Sequence, residues 1–124
     1  MPLVAAAAIA EEVGKAAFPS PLLSTYYATF VLNACGTDAA NKALTDIVTG
    51  TPTTLAITNE KGSWSSSDTD VSIKDGKLNG TAWFVQDAKK CDRFIVSAKG
   101  EQGIGLYQVE ANASGVEITD DGLI

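Results

Sequence analysis

The run Phe94-Ile-Val-Ser-Ala98, the corner Gly100-Glu-Gln-Gly103 and the run Ile104-Gly-Leu-Tyr-Gln-Val109 decide how this chain is read. Two apolar, β-branched and aromatic segments joined across a glycine-flanked pair form a hairpin of adjacent strands. Outward from it, residues 53–58, 70–74, 78–85 and 116–119 have the same strand-like character. Asp75-Gly76 and Asn79-Gly80 supply corners where positive φ is allowed. The expectation from residue 53 onward is therefore a six-stranded antiparallel β-barrel or sandwich.

Upstream the texture changes. Three of the eleven glycines precede Thr58, and alanine dominates the opening residues 3–17. That composition predicts a first helix, weakened at its end by Gly14. Ser20-Pro21 reads as a cap followed by a first-turn proline, and Gly36 as a left-handed stop, so a second helix is expected over 21–35. Its apolar residues Leu22, Leu23, Tyr26, Tyr27, Phe30, Val31 and Ala34 make a broad stripe that needs cover. Thr37 or Asp38 opens a third helix, which ends before Gly50. The fold class is α+β: about three N-terminal helices, then the sheet domain. Uncovered apolar helix faces predict self-association.

With 124 residues, 45% of them hydrophobic and 19% charged, the chain makes one domain or one helical piece joined to one sheet-rich piece. Nine basic against fifteen acidic side chains leave a net charge of −6, a field that repels phosphate backbones and anionic lipid, so no nucleic acid and no membrane surface is expected as partner. Histidine is absent. Ser-His-Asp and Cys-His nucleophile systems and His-ligated zinc are thereby excluded from these residues. Cys35 and Cys91 are too few for a disulfide scaffold or a metal knuckle and are read as reduced. No basic segment precedes the apolar run 3–10, and Glu11 and Glu12 follow it, so the expected location is cytoplasmic. Asn79-Gly-Thr81 and Asn112-Ala-Ser114 are read as turns rather than glycosylation acceptors.

Two segments could carry chemistry. Leu55-Ala-Ile-Thr58-Asn59-Glu60-Lys61-Gly62-Ser63-Trp64 is a strand running into a polar loop. Unpaired amides at such a strand end, with the Thr58 and Ser63 hydroxyls, can receive an anion or a ring carbonyl, or simply form a turn. In Leu78-Asn-Gly-Thr81-Ala-Trp83-Phe84-Val85-Gln86-Asp87-Ala88 two aromatics adjoin. On one strand they would point to opposite faces, one into the core and one outward as a platform.

The order and spacing of short segments resembles the acyl-CoA dehydrogenase family from about Ile9 to the C-terminus. The matching pieces are Glu11-Glu12-Val13-Gly14, Pro21-Leu22-Leu23-Ser24-Thr25, Gly50 before Leu55-Ala56-Ile57-Thr58, the Trp64 loop and Leu78-Asn79-Gly80-Thr81. They continue with Phe84-Val85-Gln86-Asp87-Ala88, Cys91-Asp92-Arg93-Phe94-Ile95-Val96-Ser97-Ala98, Gly105-Leu106-Tyr107-Gln108-Val109 and Gly115-Val116. The resemblance is closest to the actinobacterial type, with its Gly-x-Trp after the threonine-bearing strand.

The resemblance implies that residues 1–52 correspond to the end of an N-terminal helical domain and 53–124 to a middle β-domain. The family's C-terminal helical domain, with its catalytic glutamate, is absent from these residues. It further implies FAD as cofactor, an acyl-CoA thioester as substrate, electron-transfer flavoprotein or a similar acceptor, and a homo- or hetero-oligomer. Ile57 and Thr58 would meet the pyrimidine edge of the flavin, Phe84 the ring face and Gln86 the neighbourhood of N5. Gly62 and Ser63 would approach the pyrophosphate and the acyl-CoA. No catalytic residue is nominated: Glu60, Glu101, Glu110 and Glu117 read as solvated carboxylates, and no metal site is expected.

Three departures stand out. Thr58-Asn59-Glu60 replaces the family's Thr-Glu-Pro, Gly62-Ser63-Trp64 its Gly-Ser-Asp, and Gln86 a threonine. Such changes resemble those of a non-catalytic subunit in heteromeric members, which is the alternative function. A third reading is a small β-sandwich ligand-binding module with Trp64 and Trp83 as its aromatic platform.

Overall fold

The computed structural model describes residues 2–120. Its alanine-rich opening forms α1 (Leu3–Lys15), in which Ala6 is the one buried residue. Helix α2 (Leu22–Cys35) ends where Gly36 turns left-handed at φ 63° and donates to the Leu32 carbonyl at 3.4 Å. Its beginning departs from the expected serine cap. The Ser20 hydroxyl accepts from the Leu22 amide at 3.3 Å, but Pro21 occupies the cap position and no side chain caps the helix from there. Helix α3 (Asp38–Val48) opens as expected, with the Thr37 hydroxyl accepting from the Ala40 amide at 3.1 Å.

The buried face of α2 is a correction to the sequence reading. Ser24, Ala28 and Leu32, spaced one turn apart, are buried, whereas Leu23, Tyr27 and Phe30 remain exposed. Ser24 and Ala28 let the helix backbone approach closely and Leu32 completes the buried face, while Leu23, Tyr27 and Phe30 are turned outward.

The sheet has five strands: β1 (Thr53–Ala56), β2 (Val71–Lys74), β3 (Lys77–Gly80), β4 (Arg93–Gly100) and β5 (Gly103–Glu110). The order is β1-β4-β2-β3, with β5 on the other side of β4. β4 and β5 pair antiparallel over their whole length, from Arg93↔Glu110 to Gly100↔Gly103, as the hairpin reading requires. Asp75 and Gly76, at φ 50° and 72°, turn β2 into β3. The expected six-stranded antiparallel barrel or sandwich is not formed. β1 runs parallel to β4, from Thr53↔Arg93 to Ala56↔Val96, and β2 meets β4 in parallel at Ser72↔Lys99. Strand propensity and period describe a segment, not its partner. Here the β2–β3 hairpin and the loops around it return the chain so that β4 enters the middle of a mixed sheet. Residues 116–119 form no strand, and Val116 and Ile118 instead pack on the sheet. The described residues form one sheet rather than two opposed ones, so the sandwich-module reading loses its scaffold. Residues 121–124 of the expected β-domain lie outside the described residues.

As the central strand, β4 is buried on both faces, and its residues alternate between two cores. Phe94, Val96 and Ala98 join Ala56, Val71 and Cys91 on one side. Ile95 meets Ala28, Leu32, Ala40 and Ala43 on the other, beneath the helices. Arg93 links the layers: its Nε donates to Glu110 Oε1 at 2.8 Å and its Nη1 lies 3.0 Å from Asp46 Oδ2 of α3. The guanidinium holds the Asp46 carboxyl below the usual carboxylate range. Among the described residues no helix is long and apolar enough to cross a membrane.

Candidate functional site

β1 and β2 lie end to end along the same edge of β4, and the chain leaves that edge between them. Thr69 closes the gap, its hydroxyl donating to the Ser97 carbonyl at 2.8 Å. The departing residues fold around Asn59, which is 8% exposed. Its Oδ1 accepts from the Lys61 amide at 3.1 Å and the Ser63 amide at 2.8 Å, and its carbonyl accepts from the Gly62 amide at 2.9 Å. Gly62 sits at φ 78°, which favours glycine at this corner. The Ser63 hydroxyl donates to Asp68 Oδ2 at 2.6 Å and accepts from the Ser65 amide at 3.2 Å, and the Glu60 amide is held by Asp70 Oδ2 at 3.0 Å. Those hydroxyls, from Ser63 and then Ser67, hold the Asp68 carboxyl below its ordinary value. The loop is thus self-satisfied, with its amides and hydroxyls spent internally and two carboxylates beside them. Trp64 projects from it, 72% exposed.

Directly after β1 the geometry is different. Thr58 bridges to Trp83 in antiparallel sense, the Trp83 amide donating to the Thr58 carbonyl at 2.9 Å. The strand end and the aromatic segment are therefore side by side. Thr58 is buried, and its hydroxyl has no hydrogen-bond partner among the described residues. The strand expected over 78–85 stops at Gly80, so Trp83 and Phe84 do not alternate across a sheet. Phe84 instead takes a left-handed backbone at φ 54°, which reorients the chain. Trp83 is half-buried and Phe84 is 62% exposed; their ring centroids are 6.4 Å apart at 45°.

Three further residues fix this segment, and the sequence reading singled out none of them. The Thr54 hydroxyl donates to the Gln86 carbonyl at 2.8 Å. Asp87, also left-handed at φ 54°, accepts at Oδ2 from the Ser24 hydroxyl at 2.6 Å. Gln86 is exposed, and its carboxamide is unpartnered among the described residues. Ser24 shares α2 with the hydroxyls of Thr25 and Thr29, and its partner lies 63 residues away, so nothing local marked it.

Of the six predicted binding residues, Ile57 and Thr58 lie at the end of β1, and Phe84 and Gln86 lie on the segment joined to it by the Thr58–Trp83 bridge and the Thr54–Gln86 bond. Gly62 and Ser63 lie in the adjoining closed loop. The end of β1 and the segment bridged to it carry an exposed aromatic ring, an exposed carboxamide and a hydroxyl without a hydrogen-bond partner among the described residues. Nothing in the 59–63 turn offers a cradle for a diphosphate. Among the described residues no group of three or more Cys, Asp or Glu side chains could hold a metal ion.

No protein-family model and no curated protein matches the chain. Among solved structures it is similar to a variant of the Tcur3481-Tcur3483 steroid ACAD, at 30% identity over 85% of this chain with a TM-score of 0.70. The match spans 30% of the length of that solved chain. It bears out the resemblance of the sequence to an acyl-CoA dehydrogenase fragment.

Proposed function

Because the chain resembles an acyl-CoA dehydrogenase in both sequence and fold, we propose that it forms one wall of a flavin ring site in an oxidoreductase that introduces a double bond into an acyl-CoA thioester. In this reading residues 1–52 are the end of a helical domain and 53–124 a middle β-domain. The single observation that carries it is the Thr58–Trp83 bridge, which sets the end of β1 against the Phe84–Gln86 segment. Bound there, FAD would accept a hydride from the acyl chain. Phe84 offers the ring a face, the Gln86 carboxamide can donate to or accept from its polar edge, and Ile57 and Thr58 supply backbone and hydroxyl groups beside it. Preorganised dipoles of this kind favour charge that develops on the ring without reorganising at the moment of reaction. The groups that would remove the substrate α-proton are not assigned to this chain: Glu110 is engaged by Arg93, and Glu60 is exposed.

The 59–63 turn, with its internal bonds, supports a diphosphate held by other parts of the assembly. The similar solved structure is described as a steroid enzyme and carries two component names. That supports a hetero-oligomer and a bulky fused-ring acyl substrate; the reading further proposes a separate electron acceptor such as electron-transfer flavoprotein. A cytoplasmic location fits this reading. The test is titration of the chain with FAD, followed by flavin fluorescence. Removal of an aromatic face in Phe84→Ala should weaken binding about tenfold, with Ser63→Ala unchanged. Equal affinity of the wild-type chain and Phe84→Ala would overturn the ring-wall assignment.

A second reading, a partner subunit that holds no flavin itself, is favoured by Gln86 and by the occupied amides of the 59–63 turn. It predicts that the assembled enzyme keeps its yellow cofactor when Thr58 and Gln86 are both substituted, whereas the first reading predicts its release.

A further inference from the structure

We infer that Asp87, held by the Ser24 hydroxyl, is a positioning residue that couples the first turn of α2 to the Phe84–Gln86 wall. On its ligand side the inference rests on the flavin reading proposed above. The wall segment is bracketed by two left-handed residues, Phe84 and Asp87, both at φ 54°, a conformation that L side chains disfavour. It persists because three hydrogen bonds fix it. Two go to the region around β1: the Trp83 amide to the Thr58 carbonyl at 2.9 Å, and the Thr54 hydroxyl to the Gln86 carbonyl at 2.8 Å. The third, from Ser24 to Asp87 Oδ2 at 2.6 Å, is the one that reaches a helix.

The chemistry at that third point is specific. Ser24 is 2% exposed and lies in the first turn of α2, which contains no acidic residue and whose Leu22 amide is taken by the neutral Ser20 hydroxyl. A carboxylate arriving from the sheet side is favoured by the positive end of the helix. Lys90 Nζ stands 3.9 Å from the other carboxylate oxygen, Oδ1. The same helical turn also accepts the Thr53 amide on the Thr25 hydroxyl at 3.2 Å. One turn of α2 therefore holds both β1 and the wall. The Phe84 ring and the Gln86 carboxamide make no hydrogen bonds of their own, so their placement depends on this anchored backbone.

The test compares Ser24→Ala, Asp87→Ala and Asp87→Asn with the unmodified chain. Asparagine tolerates the left-handed backbone and can still accept from Ser24. Three readouts are taken: the rate of tryptic cleavage after Lys89 and Lys90, the urea unfolding midpoint, and FAD affinity. Loss of a hydrogen bond to a charged group should raise native-state cleavage about tenfold in Ser24→Ala and Asp87→Ala, and weaken FAD binding by a similar factor. Asp87→Asn should restore both. Cleavage unchanged in Ser24→Ala, or Asp87→Asn as defective as Asp87→Ala, would overturn the inference. So would a rise in cleavage fully accounted for by a lower unfolding midpoint, which would make the pair an anchor of the fold alone. If the wild-type chain binds no FAD, the flavin reading fails and the cleavage series by itself decides whether Ser24 and Asp87 position the wall.

Discussion

Replacing Ile95 by alanine tests the layer on which the candidate site is built. The side chain is 1% exposed and sits between β4 and the two helices, against Ala28, Leu32, Ala40 and Ala43, with Leu44, Ile47 and Leu55 around them. Losing the outer carbons of isoleucine removes about 2 kcal/mol of burial free energy. A cavity cost adds to this, because three of the nearest neighbours are alanines whose methyl groups cannot reach inward to fill the space. The expected total is about 4 kcal/mol, against about 1 kcal/mol for Ile95→Val. That is a large share of the 5–15 kcal/mol typical of a whole domain. At this chain length it corresponds to a fall in melting temperature of roughly 15 °C. Urea unfolding followed by far-UV circular dichroism measures it, with an unchanged denaturant slope showing that both endpoints are preserved. A loss for Ile95→Ala below about 1.5 kcal/mol, outside the range for emptied core sites, would refute the reasoning and mean that α2 and α3 are not seated on β4.

Two further predictions follow from single positions. A Cβ added at Gly80, whose φ is 135°, would strike the backbone of Asp70 and Val71, so Gly80→Ala should cost roughly 3 kcal/mol and release the β2–β3 hairpin, read as faster amide exchange at Val71 and Leu78. Burial, reinforced by the charges of Asp87 and Asp92, pushes the Cys91 thiol up from 9.0 to about 11. Between those values the unfolded chain releases the thiol proton and the folded chain keeps it, so stability should fall as pH rises through that window. The decline should be shallower in Cys91→Ala, and an identical pH profile for the two chains would contradict the assignment.

Local chemistry was legible in the sequence wherever a few neighbouring residues determine the outcome. The Thr37 cap, the Gly36 stop, the Asp75-Gly76 corner and the Gly100–Gly103 hairpin all appear where their side chains and backbone freedom require them. Choices made by distant partners were not legible. The residues of β1 look the same whether β4 passes parallel or antiparallel to them, and Asn79-Gly80 resembles a corner although the turn has already been made at Asp75. In α2 the stripe of large apolar residues suggested the buried face, but packing selected Ser24, Ala28 and Leu32. The same limit applies at the candidate site. The juxtaposition of Thr58 with Phe84 entered through the family resemblance, and the Ser24–Asp87 contact depends on two segments that meet only after folding.

The parallel pairing of β1 with β4 also shapes how the molecule is made. A nascent chain has completed α2, α3 and β1 about forty residues before the strand that covers them leaves the ribosome. During that interval Ala28, Leu32, Ala40 and Ala43 lack the Ile95 side chain that completes their core, and the edge of β1 has no partner strand. Closing so long a loop before its contacts form is slow compared with closing the β4–β5 hairpin. The hairpin is therefore expected to form before the β1–β4 pairing, and a delay in its synthesis would lengthen the period in which aggregation competes with folding.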